Sequence, residues 1–122
     1  MSLWFGGYAA LWDRVDRAGD LFRAGAFGGP APVPLLCGHR GQPVGAIEVI
    51  EEDGRGLRVT ASVADRAVAA RVRDGTLTGL SVSYRPLDVA RGRARELRRV
   101  RLVEVSLVRV PTQPLARVDT VF

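Results

Sequence analysis

The chain has 122 residues, 18 basic against 13 acidic side chains, a formal net charge of +5 and a sequence pI near 10.9. That length predicts one domain over 1–122 with a core of its own, and a composition 47% apolar and 25% charged excludes a disordered tail. One cysteine and one histidine exclude a disulfide framework, a cysteine-rich zinc module and a multi-histidine site, so neither a metal nor a cofactor is expected.

No apolar run approaches the ~20 residues of a membrane span. The opening MSLWFGGYAALWDR lacks a basic stretch ahead of an apolar one, so it does not read as a secretory signal. A cytoplasmic, reducing setting without a membrane partner is the expectation.

In chain order, residues 3–12 read as a strand with Tyr8, Ala10 and Trp12 on one side. Asp13 to Gly19 is a turn or loop, and 19–27, with glycine at its start and close to its end, reads as irregular. Gly28–Pro34 holds three prolines, which remove amide donors and restrict their neighbours, so it is a surface loop. Leu35, Leu36 and Cys37 form a short apolar strand ending at Gly38 and His39, and 43–52 reads as another. After the turn Asp53-Gly54-Arg55-Gly56, residues 57–64 place Leu57, Val59, Ala61 and Val63 on one face and pair with 43–52 as a hairpin.

The period then changes. Ala64, Ala67, Val68, Arg71 and Val72 follow helical spacing over 64–74, with Gly75 at the capping position. Residues 76–89 are β-rich, 90–95 (ARGRAR) form a basic turn, and 97–110 form a long strand stopped by Pro111 and Pro114. The sum is a strand-dominated α+β domain, a closed or nearly closed barrel with one marked helix.

Every basic side chain is arginine; there is no lysine. A GC-rich genome accounts for that, while a high pI also suits an anionic partner. The densest cluster, Arg91, Arg93, Arg95, Arg98, Arg99 and Arg101, has no interleaved aromatic to stack bases. Nucleic acid is therefore a secondary partner.

Three positions carry chemistry. His39, the sole histidine, sits at a strand end and suits a general base, or else is a surface histidine with one hydrogen bond. Ser81 lies between Leu80 and Val82 at the start of a β-rich run and shares a face with Ser83, as a nucleophile or as a solvent-facing serine. Glu104 interrupts the apolar run Leu102–Val108. A carboxylate buried there without partners is costly, so either its face is wet or a neighbouring group meets it. In a regular strand Arg99 and Arg101 point to the other face and a histidine from a neighbouring strand would satisfy it. Together the three supply the base, hydroxyl and acid that serine acyl transfer needs. The G-x-S-x-G elbow is absent, because Ser83 stands where its second glycine would. Cys37, two residues from His39, reads as a core cysteine and not as half of a Cys–His dyad.

The segments LLCGHR followed by PVG, DGTLTGLSVSYRP, LVEVSLVRVPTQPLARV and the opening GYAALWDRVDRAGDLFRAGAF resemble, in order and over nearly the whole chain, the prohead maturation proteases of tailed bacteriophages. The version carried by gene transfer agents is similar. The resemblance implies a herpesvirus-assemblin-like β-barrel with packed helices. It also implies a serine endopeptidase that cleaves capsid precursor or scaffold within the immature capsid, in the cytoplasm of a bacterial host. Carried over, His39 is the base, Ser81 the nucleophile, Glu104 the third member, and Arg99 or Arg101 the oxyanion-hole candidates. The chain itself is a further substrate for self-cleavage. Two positions depart from the pattern: Arg40 stands where an acidic residue is common, and Ser83 where glycine is usual. The second departure makes Ser83 the fallback nucleophile. A non-catalytic basic barrel, acting as a scaffold or nucleic-acid-binding component of a phage-like particle, is the alternative.

Overall fold

A computed structural model describes residues 2–122. Eight strands and one helix follow in the order β1 (Leu3–Leu11), β2 (Asp20–Phe22), β3 (Pro34–Cys37), β4 (Arg40–Glu52), β5 (Gly56–Val63), α1 (Arg66–Arg73), β6 (Gly79–Arg91), β7 (Arg95–Val108) and β8 (Val118–Val121). All strands belong to one curled sheet. Along it, β7, β3, β4, β5, β1 and β8 are successive neighbours. β6 runs antiparallel along the other edge of β7. β2 and β3 lie end to end along the β3 edge, parallel to β7 at Arg95–Leu97 and at Val105–Leu107. The sheet bends back on itself: Val118 pairs with Gly7 of β1 and donates to Thr78 O just before β6, while Leu80 N donates to Ala116 O.

The alternation that singled out β5 is obeyed: Leu57, Val59, Ala61 and Val63 are all fully buried, facing Phe5, Leu35, Leu80, Leu97, Val105 and Leu107. The predicted β4–β5 hairpin forms around the Asp53 turn, where the Asp53 carboxylate accepts from Arg55 N and Gly56 N. In α1 the Asp65 side chain accepts from Val68 N at 3.0 Å. Gly75, at φ +83°, closes the helix: Thr76 N reaches Arg71 O and Gly75 N reaches Val72 O.

Four expectations shift. The buried stripe of α1 is Val68, Ala69 and Val72; Ala67, read as part of it, is exposed. Residues 20–22, read as irregular, form β2, whose short length carries little periodic signal. The strand read as starting at 43 begins at Arg40, because it turns straight out of β3. The C-terminal β8 was not foreseen, since only its pairing with β1 makes Val118–Val121 a strand.

The corner beside β2 is fastened by an ion pair between a partly exposed arginine and a buried carboxylate. Asp20 is 4% exposed; Arg95 grips it through Nε (2.7 Å) and a terminal nitrogen (2.8 Å), and the Tyr84 hydroxyl donates at 2.7 Å. Tyr84 also meets the Phe22 ring edge-on, and Phe22 stacks on Phe27. The Arg95 bond holds the Asp20 carboxyl below its usual range of 3.8, against the opposing effect of burial. A group whose folded value is depressed contributes its full stabilisation above the unfolded value and loses it as the pH falls through the folded one.

Two substitutions test these constraints. A Cβ at Gly45 would lie 1.8 Å from Ser62 O, so Gly45→Ala should force β4 off β5 and destabilise by roughly 3 kcal/mol or more in urea unfolding. Arg95→Ala strands a buried carboxylate and should cost about 2 kcal/mol at neutral pH. Its midpoint should fall less steeply than wild type below about pH 4.

Candidate functional site

The imidazole is carried on a tight turn. Cys37 pairs with Arg40, so Gly38 and His39 are the two-residue loop of the β3–β4 hairpin. Both have positive φ, +67° and +63°, the pattern of a type I′ turn. A left-handed histidine is uncommon. Here it is held by two contacts: Gly38 N donates to Leu107 O and His39 N donates to the Ser106 hydroxyl at 3.0 Å.

Glu104 reaches the same place through a bulge. Ser83 pairs with Glu104, but Tyr84 pairs with Leu102, which leaves Val103 as an extra residue in β7. Val100 and Leu102 point into the core on one side of the bulge, Val105 and Leu107 on the other. The bulge shifts the alternation by one residue, so Arg101 and Val103 share the outer face with Glu104 and Ser106. Arg99 and Arg101, expected on the face away from Glu104, thus stand on its side of the sheet. Their cross-strand neighbours are Asp88 and Arg85, and neither hydrogen-bonds any residue of the His39–Glu104 cluster among the described residues.

Glu104 is 5% exposed and fully satisfied. Its Oε1 meets His39 Nδ1 and accepts from Ser83 Oγ at 2.7 Å; its Oε2 accepts from Ser106 Oγ at 2.8 Å. Ser83 Oγ also lies 3.1 Å from His39 Nδ1. The structure therefore brings His39, Ser83 and Glu104 into direct contact, with Ser106 bridging the carboxylate and the His39 backbone. Sequence patterning alone does not single out Ser106. Its one signal is its place two residues along from a carboxylate needing a donor.

Ser81 is one step away. It lies directly across from Ser106 and on the same face as Ser83, at the 4.5–5.5 Å Cβ spacing usual for such cross-strand pairs. It is 6% exposed, and its hydroxyl makes no hydrogen bond among the described residues. It borders a cavity of about 150 Å³ between β6, the turn after β1 and the segment after β7, lined in part by Phe22, Leu80, Val82, Asp16 and Thr112. The neighbouring Gln113 anchors that segment: its amide accepts from Leu11 N and donates to Leu11 O, as a strand partner would. Neither the loop 28–34 nor the basic turn 90–95 lines this cavity. Beyond Leu80, the outer edge of β6 has no partner strand among the described residues.

The arrangement fixes a tautomer. Nδ1–H donates to the Glu104 carboxylate, and the Ser83 oxygen accepts from the same N–H. Nε2 then carries the lone pair, and among the described residues it has no partner. Cys37 is half-buried against the core and joins none of these contacts. No group of three His, Cys, Asp or Glu side chains with metal-binding geometry occurs among the described residues. Among the described residues no helix is long and apolar enough to cross a membrane.

The sequence profile of the caudovirus prohead serine proteases matches residues 2–122. The chain belongs to this family. Among solved structures it is similar to a KSHV protease in complex with a hexapeptide phosphonate inhibitor, at a TM-score of 0.66 and 15% identity over 97% of this chain. It is also similar to a further KSHV protease structure (TM-score 0.51, 18% identity, 88% of this chain) and to varicella-zoster virus protease (TM-score 0.51, 19% identity, 84% of this chain). At these identities the likeness is one of fold, the curled assemblin-type sheet. The chain spans 64%, 55% and 58% of the lengths of those three proteins. No curated protein matches it.

Because His39 is the only histidine, its ring nitrogens can be read alone by ¹⁵N NMR. The wild-type spectrum at pH 8 should show one tautomer with Nδ1 protonated. In Glu104→Gln, whose amide can accept or donate, the two tautomers should mix, with a loss of about 1–3 kcal/mol in stability.

Proposed function

We propose that this protein is a serine endopeptidase acting on capsid or scaffold precursor inside the immature shell of a phage or phage-derived particle, with residues 1–122 as its protease domain. The observation that supports the reading is an imidazole held by a buried carboxylate through Nδ1, on the face of the β6–β7 ladder that also carries Ser81, whose hydroxyl has no partner among the described residues.

Ser81 is the nucleophile in this reading. Its oxygen attacks the scissile carbonyl carbon while its proton passes to His39 Nε2. The peptide C–N bond then breaks and His39 returns the proton to the leaving amine. Water, deprotonated by the same nitrogen, releases the acyl group and restores Ser81. Glu104 holds the ring and stabilises the imidazolium. Ser83 is a positioning residue: its hydroxyl proton points at Glu104 and its oxygen faces Nδ1, so it lies on the acid side of the ring with no lone pair to receive its proton. The unpaired edge of β6 offers backbone groups to an extended peptide beside Ser81. Arg99 and Arg101, on the outer face of β7, are the proposed cationic partners of the developing oxyanion. A precursor inside the shell is a partner of high local concentration, and the chain itself is a second substrate.

Ser81→Ala should fold normally and lose cleavage of a co-expressed capsid precursor by roughly 10⁴-fold or more. Ser83→Ala should lower kcat about tenfold with KM unchanged, and Ser83→Thr should recover most of it. If Ser83→Ala alone abolishes cleavage while Ser81→Ala retains it, the nucleophile is Ser83. If neither variant slows cleavage, the chain is a non-catalytic barrel.

A further inference from the structure

The cavity beside Ser81 has one charged wall. Its apolar lining is Phe22, Leu80 and Val82, with Ala9 and Ala18 leaving the space open. Asp16 lines it as well, from the turn that follows β1.

The carboxylate of Asp16 differs from its neighbour's. Asp20, four residues on, is neutralised by Arg95 and capped by Tyr84. Asp16 Oδ1 accepts from Ala18 N at 2.8 Å and Asp20 N at 3.0 Å, which ties the carboxylate down and aims it. Its second oxygen has no hydrogen-bond partner among the described residues. The ion pairs found there engage Asp13, Asp20, Glu96, Glu104 and Asp119, and none engages Asp16. The charge is therefore tied down and half-buried, with no ion-pair contact among the described residues, although Arg95 lies near enough to favour its charged form. Burial raises the Asp16 pKa, partly offset by the two backbone donors.

Different side chains entering this space meet different costs. An acidic one is repelled. An apolar one takes water from a carboxylate and gives nothing back. A basic one lays its methylene stem along Phe22, Leu80 and Val82 and brings its cationic end to the free oxygen.

We infer that this cavity receives the side chain of the substrate residue whose carbonyl is attacked, and that Asp16 selects lysine or arginine there. The inference rests on the reading of Ser81 as nucleophile, because Ser81 is what puts the cavity beside the scissile bond.

The test uses aminoalkyl diphenyl phosphonates bearing a lysine-like, leucine or glutamate side chain, with modification of Ser81 followed by mass spectrometry. Each rate is divided by that of a small fluorophosphonate without a side chain on the same variant. In wild type the lysine-like probe should react roughly tenfold or more faster than the other two. Asp16→Asn, which keeps an acceptor for the two backbone N–H groups, should erase that preference, and Asp16→Lys should shift it to glutamate. Ser81 labelled by the fluorophosphonate with no preference for the basic probe in wild type overturns the selectivity and leaves the peptidase reading standing. Ser81 unlabelled by any probe overturns both.

Discussion

The site depends on how one buried carboxylate is satisfied. Glu104 has almost no access to water, and a carboxylate in that position is tolerable only with its lone pairs engaged. Three donors from three places meet it: the His39 ring from the β3–β4 turn, the Ser83 hydroxyl from β6 and the Ser106 hydroxyl from its own strand. The same contacts pin a left-handed histidine onto the face of the β6–β7 ladder. Stability and chemical competence are thus one arrangement, since what makes burial of the acid affordable is what fixes the imidazole tautomer.

The bulge at Val103 makes this possible. In an unbroken ladder, a strand that buries Val100 and Leu102 would bury Glu104 in the core as well. One inserted residue turns Glu104 and Ser106 outward together and leaves Val105 and Leu107 to fill the interior. The apolar run Leu102–Val108 therefore serves two faces. The irregularity costs the pairing of a single residue and gains a site.

Around this centre, charge is distributed unevenly for a chain of such basic character. The arginines that pair with carboxylates, Arg23, Arg58 and Arg95, fasten sheet edges and corners. The carboxylate that borders the cavity next to Ser81 is left without such a partner. That leaves one oxygen of Asp16 available to a cationic side chain entering the cavity.

Much of the molecule was legible in order and period. The alternation of Leu57, Val59, Ala61 and Val63 marks a half-buried strand because side chains on a pleat alternate strictly. The change to helical spacing before Gly75 marks α1. His39, Ser81 and Glu104 stood out because a lone base, a hydroxyl in an apolar setting and an acid in an apolar run are each unusual. What the sequence determined by itself is therefore the strand-rich class, the hairpin, the helix and the inventory of reactive groups, all of which follow from local steric and hydrophobic preference. Tertiary structure alone decided which groups meet. The anchoring of the Gly38-His39 turn on Ser106 and Leu107, the bulge at Val103, the role of Ser83 beside Nδ1 and the strands β2 and β8 depend on segments distant in the chain. Long-range register sets a side chain's face and neighbours, and no local pattern encodes it.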